Sequence, residues 1–134
     1  MAQVIIYEQE NGQVAVCVPT GEIHISAVKE KDTPSHSIIV EDSSLPQGDD
    51  AKFFDAWELS GSTVSVNITK AKAIRLAQYN AAALQVAQKR HLNTLAGISN
   101  DVSDTDFTNS LTAGRSAINS ATTTSQLVAV TDPA

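Results

Sequence analysis

A chain of 134 residues and 14.2 kDa has room for one domain, or one small domain with a helical tail, and leaves no space for a two-domain enzyme at roughly 100–200 residues per domain. Its net charge of −6 and pI near 4.8 argue against a bulk role on nucleic acid, whose phosphates call for a Lys/Arg surface. The single cysteine, Cys17, excludes an intramolecular disulfide and a multi-cysteine metal site.

The charge is unevenly spread. Residues 1–60 carry 11 acids and 3 bases, whereas residues 61–134 carry 4 acids and 6 bases. The break coincides with a change in local pattern, and it divides the chain into a small α+β domain over 1–68 and a helical region over 69–134. The N-terminal residues Met1–Glu8 lack the positive start of a targeting sequence. No stretch approaches the ~18 consecutive apolar residues of a membrane helix. No membrane partner is expected.

In chain order, Val4–Tyr7 and Val14–Val18 flank Glu10-Asn11-Gly12-Gln13. Asn-Gly between Val/Ile-rich runs predicts a β-hairpin with a type I′ turn. Cys17 reads as a small buried hydrophobe in the second strand. Ser26–Asp32 predicts a short helix capped by Ser26 and closed before Pro34. Ser37–Glu41 predicts a third strand.

An acidic, turn-rich stretch leads to Phe53, Phe54 and Trp57, three of the six aromatic residues. They are the candidate domain core, because each buries roughly 150–250 Å². After a Ser60-Gly61-Ser62 turn, Val64, Val66 and Ile68 alternate with polar residues, the period of a half-buried strand.

From Thr69, read as an N-cap, an Ala-rich segment runs to about Ala96 without Gly or Pro. Its composition is strongly helix-forming. A helix of ~28 residues is ~42 Å long, too long for a 65-residue domain to cover, so part of it must pack on its own tail, another copy or a partner. Ile74, Ala77, Ala81, Leu84, Gln88, His91, Leu95 and Ile98 follow 3,4 spacing and form a candidate interface resembling a coiled-coil seam with polar interruptions. Ile74–Leu84 are expected to lie on the chain's own sheet and tail, with the distal half open. A histidine at such a seam makes an interface sensitive to pH.

Gly97 is the expected stop of this helix. Ser103 with Asp106 and Thr123 with Gln126 have capping-box spacing and predict a packed helical hairpin over 97–134, with Gly114 as a bend. The fold class is therefore α+β: a small antiparallel β-rich domain with one short helix, then a long Ala-rich helix and a short helical tail.

No catalytic, cofactor or metal site is predicted. His24, His36 and His91 are isolated from one another, His24 reading as a strand or turn residue, and no H-x₃-H spacing occurs. Asp101, Asp104 and Asp106 lack the spacing, glycine and glutamate of a calcium loop. Asp49-Asp50 and Asp55…Glu58 have no nucleophile or phosphate-binding loop beside them. No G-x-S-x-G elbow is present. The chain reads as non-enzymatic.

The order of the pieces carries a resemblance. It runs from Pro19-Thr20-Gly21-Glu22 and Lys31-Asp32-Thr33-Pro34 through Phe53-Phe54-Asp55-Ala56-Trp57-Glu58. The segment from Val64 into Lys70-Ala71-Lys72-Ala73-Ile74 follows, and Ala121-Thr122-Thr123-Thr124-Ser125-Gln126-Leu127 comes near the end. Over nearly its whole length the chain resembles small, largely uncharacterised proteins of tailed bacteriophages found among tail and tail-fibre genes. The F-x-x-A-W-E-like segment and the K-A-K-A-I helix start are its most specific part. The Ser/Thr-rich tail departs from the group, where Arg, Lys and Glu are usual. The resemblance implies a virion structural protein, made in the host bacterial cytoplasm, whose partners are other phage structural proteins or another copy of the chain. It also admits a capsid decoration protein or a tail-fibre assembly chaperone that does not stay in the particle.

Overall fold

The computed structural model describes residues 2–134, an α+β chain of two compact units, 1–71 and 72–134. In the first unit, β1 (Gln3–Glu8) is flanked by β2 (Val14–Cys17) and β3 (Ile38–Glu41) in an antiparallel sheet of order β2-β1-β3. Glu8 pairs with Val14, and Ile6 pairs with both Val16 and Ile38. A second antiparallel pair joins β4 (Trp57–Ser60) to β5 (Thr63–Val66).

The two sheets enclose a core of Val4, Ile6, Val14, Trp57 and Val64, with Leu59, Val66 and Ile38 packed at its margin. Alternation along β1 turns Ile5 to the opposite face, where it is also fully buried. Helix α1 (Ile25–Asp32) packs against β1 and β3 and buries Val28.

The turns show how local chemistry refines the expected hairpins. The β1–β2 connection is not a type I′ turn. Gly12 donates to the Gln9 carbonyl at 2.9 Å, and Gln9 donates to that of Gln13 at 2.8 Å. Only Gly12 has positive φ, at 84°. This is a type I turn closed by a glycine bulge. The Asn11 side chain accepts the Gln13 N–H at 3.0 Å, so asparagine serves as a local acceptor and needs no left-handed backbone. In the β4–β5 turn, Gly61 alone takes positive φ, at 60°, the pattern of a type II′ turn.

Helix α1 starts one residue before the expected position. Its cap is His24, whose Nδ1 accepts the Ser26 N–H at 3.2 Å. Asn67 likewise replaces Thr69 as the start of α2 (Ile68–Leu95): its Oδ1 accepts the Lys70 N–H at 3.0 Å. Ile68 therefore belongs to the helix and not to the strand. The Asn67 amide also donates to Glu58 at 2.7 Å, and Lys70 Nζ lies 3.2 Å from the same carboxylate. These two hydrogen bonds, that of Asn67 first, hold the Glu58 carboxyl below its usual range.

Of the aromatic cluster, Phe53 and Trp57 are buried, and Trp57 Nε1 donates to the Asp50 carbonyl at 3.0 Å. Phe54 corrects the expected core. It is 37% exposed and leans on Trp57 with ring centroids 4.8 Å apart. The 3₁₀ segment Gly48–Ala56 breaks at Phe53 (φ −113°, ψ 47°), so two adjacent phenylalanines cannot both follow one inward-facing periodicity.

The second unit consists of α2 from Lys72 onward, α3 (Asp104–Ser120) and α4 (Thr124–Ala129). Helix α2 ends in a Schellman turn: Gly97 (φ 74°) donates to Thr94, and Ile98 donates to Asn93. The caps of α3 and α4 are Ser103 and Thr123, whose side chains accept from Asp106 and Gln126 at 3.1 and 3.2 Å. The buried apolar residues are few, Tyr79, Ala83, Ile118, Ala121 and Leu127, and Arg75 and Thr124 are buried as well.

Gly114 does not bend α3, which is continuous through it. A Cβ at that position would run into Oη and Cζ of the buried Tyr79, so the glycine makes room for the ring. Tyr79 Oη donates to the Ser110 carbonyl at 3.3 Å.

Trp57→Ala is expected to cost about 3–5 kcal/mol, as large-to-small core changes do, and Phe54→Ala about 1 kcal/mol. Urea titration followed by far-UV circular dichroism measures both. Gly114→Ala raises helix propensity yet should destabilise the second unit by about 1–3 kcal/mol through overpacking. Tyr79→Leu in the same chain should recover part of that loss, and a double-mutant cycle reads the coupling.

Candidate interaction surface

Helix α2 has two faces of opposite character. The face turned toward the rest of the second unit carries Arg75, Tyr79, Ala83, Val86, Arg90 and Asn93, all buried or half-buried. Arg75 is only 6% exposed. Its Nε donates to the Leu127 carbonyl at 3.1 Å, one Nη to that of Val130 at 2.7 Å, and the other lies 2.7 Å from Asp132. The guanidinium thus closes the C-terminal end of α4, where helix carbonyls lack internal partners and the dipole favours a cation.

One helical turn after another, Tyr79 meets Gly114. Arg90 lies 4.7 Å over the Phe107 ring and 2.7 Å from Asp104. Lys72 and Arg115 add bonds to the Asn119 carbonyl and to Asn80, at 2.9 and 3.0 Å.

The opposite face carries the candidate seam. Ile74 is half-buried, Ala77, Ala81, Gln88 and His91 are exposed, and Leu84 and Leu95 are 60% and 71% exposed. This corrects the expectation that Ile74–Leu84 lie on the chain's own sheet and tail: Ala77, Ala81 and Leu84 face solvent. The inward contacts are supplied by Arg75 and Tyr79, whose long side chains combine apolar bodies with polar ends. Ile98 is exposed but lies beyond the Schellman turn, outside the helix. Leu92, which falls outside the 3,4 pattern, is exposed and widens the apolar face.

Between Ala73 and Leu95 this face holds no Lys, Arg, Asp or Glu. Of the charged residues of that stretch, Arg75 and Arg90 turn inward. An ordinary surface helix places its charges on the solvent side. Here the solvent side carries a single full charge, the exposed Lys89 at its edge.

Within the second unit, α2, α3 and the residues after α4 also enclose an open cleft of about 690 Å³, with Val86, Phe107, Leu111 and Val130 among its walls and Arg90 and Asn100 among its polar groups. Arg90 already engages Phe107 and Asp104 there, and the Asn100 side chain already bonds Asn93.

The remaining polar residues are engaged locally. His36 meets the Glu8 carbonyl at 3.1 Å and the edge of Tyr7, His24 caps α1, and Asp55 accepts from Gln13 at 2.8 Å. Cys17 is half-buried in β2. Asp104 and Asp106 fall in the first turn of α3, as its N-terminal dipole favours. Among the described residues, no group of three or more His, Cys, Asp or Glu converges as a metal site, and no helix is long and apolar enough to cross a membrane.

No protein-family model, curated protein or solved structure matches the chain.

Arg75→Met should strand the Leu127 and Val130 carbonyls and cost about 2–4 kcal/mol, the scale of breaking a buried charged hydrogen-bond set. Hydrogen exchange should show protection lost first over α4, while amides of β1–β3 keep theirs.

Proposed function

We propose that the chain is a non-enzymatic structural protein of a bacteriophage particle, a tail- or tail-fibre-associated virion component that works through protein–protein contacts. The observation that carries the contact role is the solvent-facing side of α2, which apart from Lys89 at its edge is apolar or neutral over Ala73–Leu95 and exposes Leu84, Leu92 and Leu95. Depletion of charge is what distinguishes the centre of a protein interface from the rest of a surface. Small side chains at Ala77 and Ala81 allow close approach, and Gln88 offers hydrogen bonds at the same contact.

The phage setting rests on the resemblance carried by Phe53–Glu58, Lys70–Ile74 and Ala121–Leu127. The two parts support one another: a small chain with a bare, uncharged helix face suits a component packed among neighbours. The acidic N-terminal unit then provides a second, different kind of surface.

Mass spectrometry of purified particles tests the reading. Stoichiometric copies in tail or tail-fibre fractions are expected. Copies matching the capsid would make it a decoration protein instead, and absence from particles would make it an assembly chaperone. Leu95→Glu should abolish incorporation while the thermal midpoint moves by no more than about 2 °C, as for an exposed substitution.

A further inference from the structure

We infer that the exposed face of α2 pairs with the same face of a second copy of the chain, the two helices running antiparallel. The inference rests on the reading of that face as the contact surface and specifies its occupant. Residues Ile74, Ala77, Ala81, Leu84, Gln88, His91 and Leu95 alternate spacings of three and four, the heptad period by which one helix receives the side chains of another. Every one of them lies on α2, and apart from half-buried Ile74 all are exposed.

Side-chain size decides the orientation. The N-terminal half of the seam is small, with Ala77 and Ala81, and the C-terminal half is large, with His91 and Leu95. An antiparallel pair centred on position 86 sets Ala77 against Leu95 of the second copy, Ala81 against its His91, and Leu84 against its Gln88. Each layer then joins a large and a small side chain, or an apolar one and an amide with an apolar stem, and the helices keep an even separation. Parallel pairing would stack alanine on alanine, leucine on leucine, and two imidazoles on each other. The helix spacing would have to change along the seam.

Charge gives the same answer. The flanking positions Gln78, Asn80, Gln85, Ala87 and Thr94 are themselves neutral, and Arg115 of α3 brings one cation to Asn80, so no row of like charges opposes itself along the seam. The unit formed by residues 1–71 carries 11 acids and 4 bases, a balance of −7, and leads into the N-terminal end of α2. Parallel pairing would draw two such entry points together, whereas antiparallel pairing centred on position 86 separates them by ~45 Å at 1.5 Å per residue.

The seam, a strip ~33 Å long and about 10 Å wide, is smaller than the ~800 Å² that each partner gives to a standard interface. The pairing is therefore expected to be weak and reversible.

Sedimentation equilibrium of the full chain from about 10 to about 500 µM should show monomer and dimer. Leu84→Glu should weaken association at least tenfold with an unchanged circular dichroism spectrum and thermal midpoint, and Leu95→Lys should do the same. Orientation is read in a Cys17→Ser background by mixing an Ala77→Cys chain with a Leu95→Cys chain under mild oxidation. Disulfides joining one variant to the other should dominate, with little cross-linking of either variant alone. A monomer at every concentration, a dimer indifferent to both charge insertions, or cross-links joining like to like would overturn the inference. A monomer that still enters particles through this face would overturn the pairing and leave the contact role standing. Absence of a paired chain from particles would do the reverse.

Discussion

The second unit is organised around one buried cation. Its apolar interior is thin, and α4 has six residues, far fewer than an isolated helix needs to persist in water. Arg75 supplies what packing alone does not. Its guanidinium reaches the Leu127 and Val130 carbonyls and the Asp132 carboxylate, so every side of a desolvated charge meets an acceptor. Without that set of partners, burial of the charge would oppose folding. With it, the end of a short helix, a stretch of extended tail and the long helix are joined at a single group.

The orientation of α2 follows from this arrangement. Because Arg75, Tyr79 and Arg90 face inward, the residues half a turn away face solvent, and those are Ala77, Ala81, Leu84 and Leu95. Long polar side chains share the intramolecular contact with Tyr79, Ala83 and Val86, and Leu84, Leu92 and Leu95 are left on the exterior. A helix built this way has satisfied its own unit with hydrogen bonds and ring packing, leaving its aliphatic surface for another molecule. This arrangement connects the internal chemistry of the second unit to the proposed contact role.

Much of the fold is legible in the residues. Val/Ile runs separated by Asn-Gly specify the first hairpin, the Ala-rich stretch between two turn-forming segments specifies α2, and the Ser103 and Thr123 caps specify α3 and α4. The 3,4 spacing also locates the exposed face. The same spacing misassigns the inner half of that face, because hydrophobic periodicity discounts arginine and tyrosine as core residues. Only the partners of Arg75 and Tyr79, more than 30 residues downstream, make them inward-facing. The caps show a similar limit: His24 and Asn67, not Ser26 and Thr69, accept the first-turn N–H groups of α1 and α2. Phe54 differs from Phe53 because the 3₁₀ segment breaks at Phe53 itself.

The contact between Tyr79 and Gly114 has a consequence for the alignment of α3 along α2. Gly114 is the one residue of α3 without a Cβ. Its neighbours one turn away in either direction, Ser110, Leu111, Ala117 and Ile118, would all place a side chain where the tyrosine ring lies. A slip of one turn, about 5.4 Å, is therefore blocked both ways. In a unit with few buried residues, this missing methyl acts as an index mark and selects a single alignment.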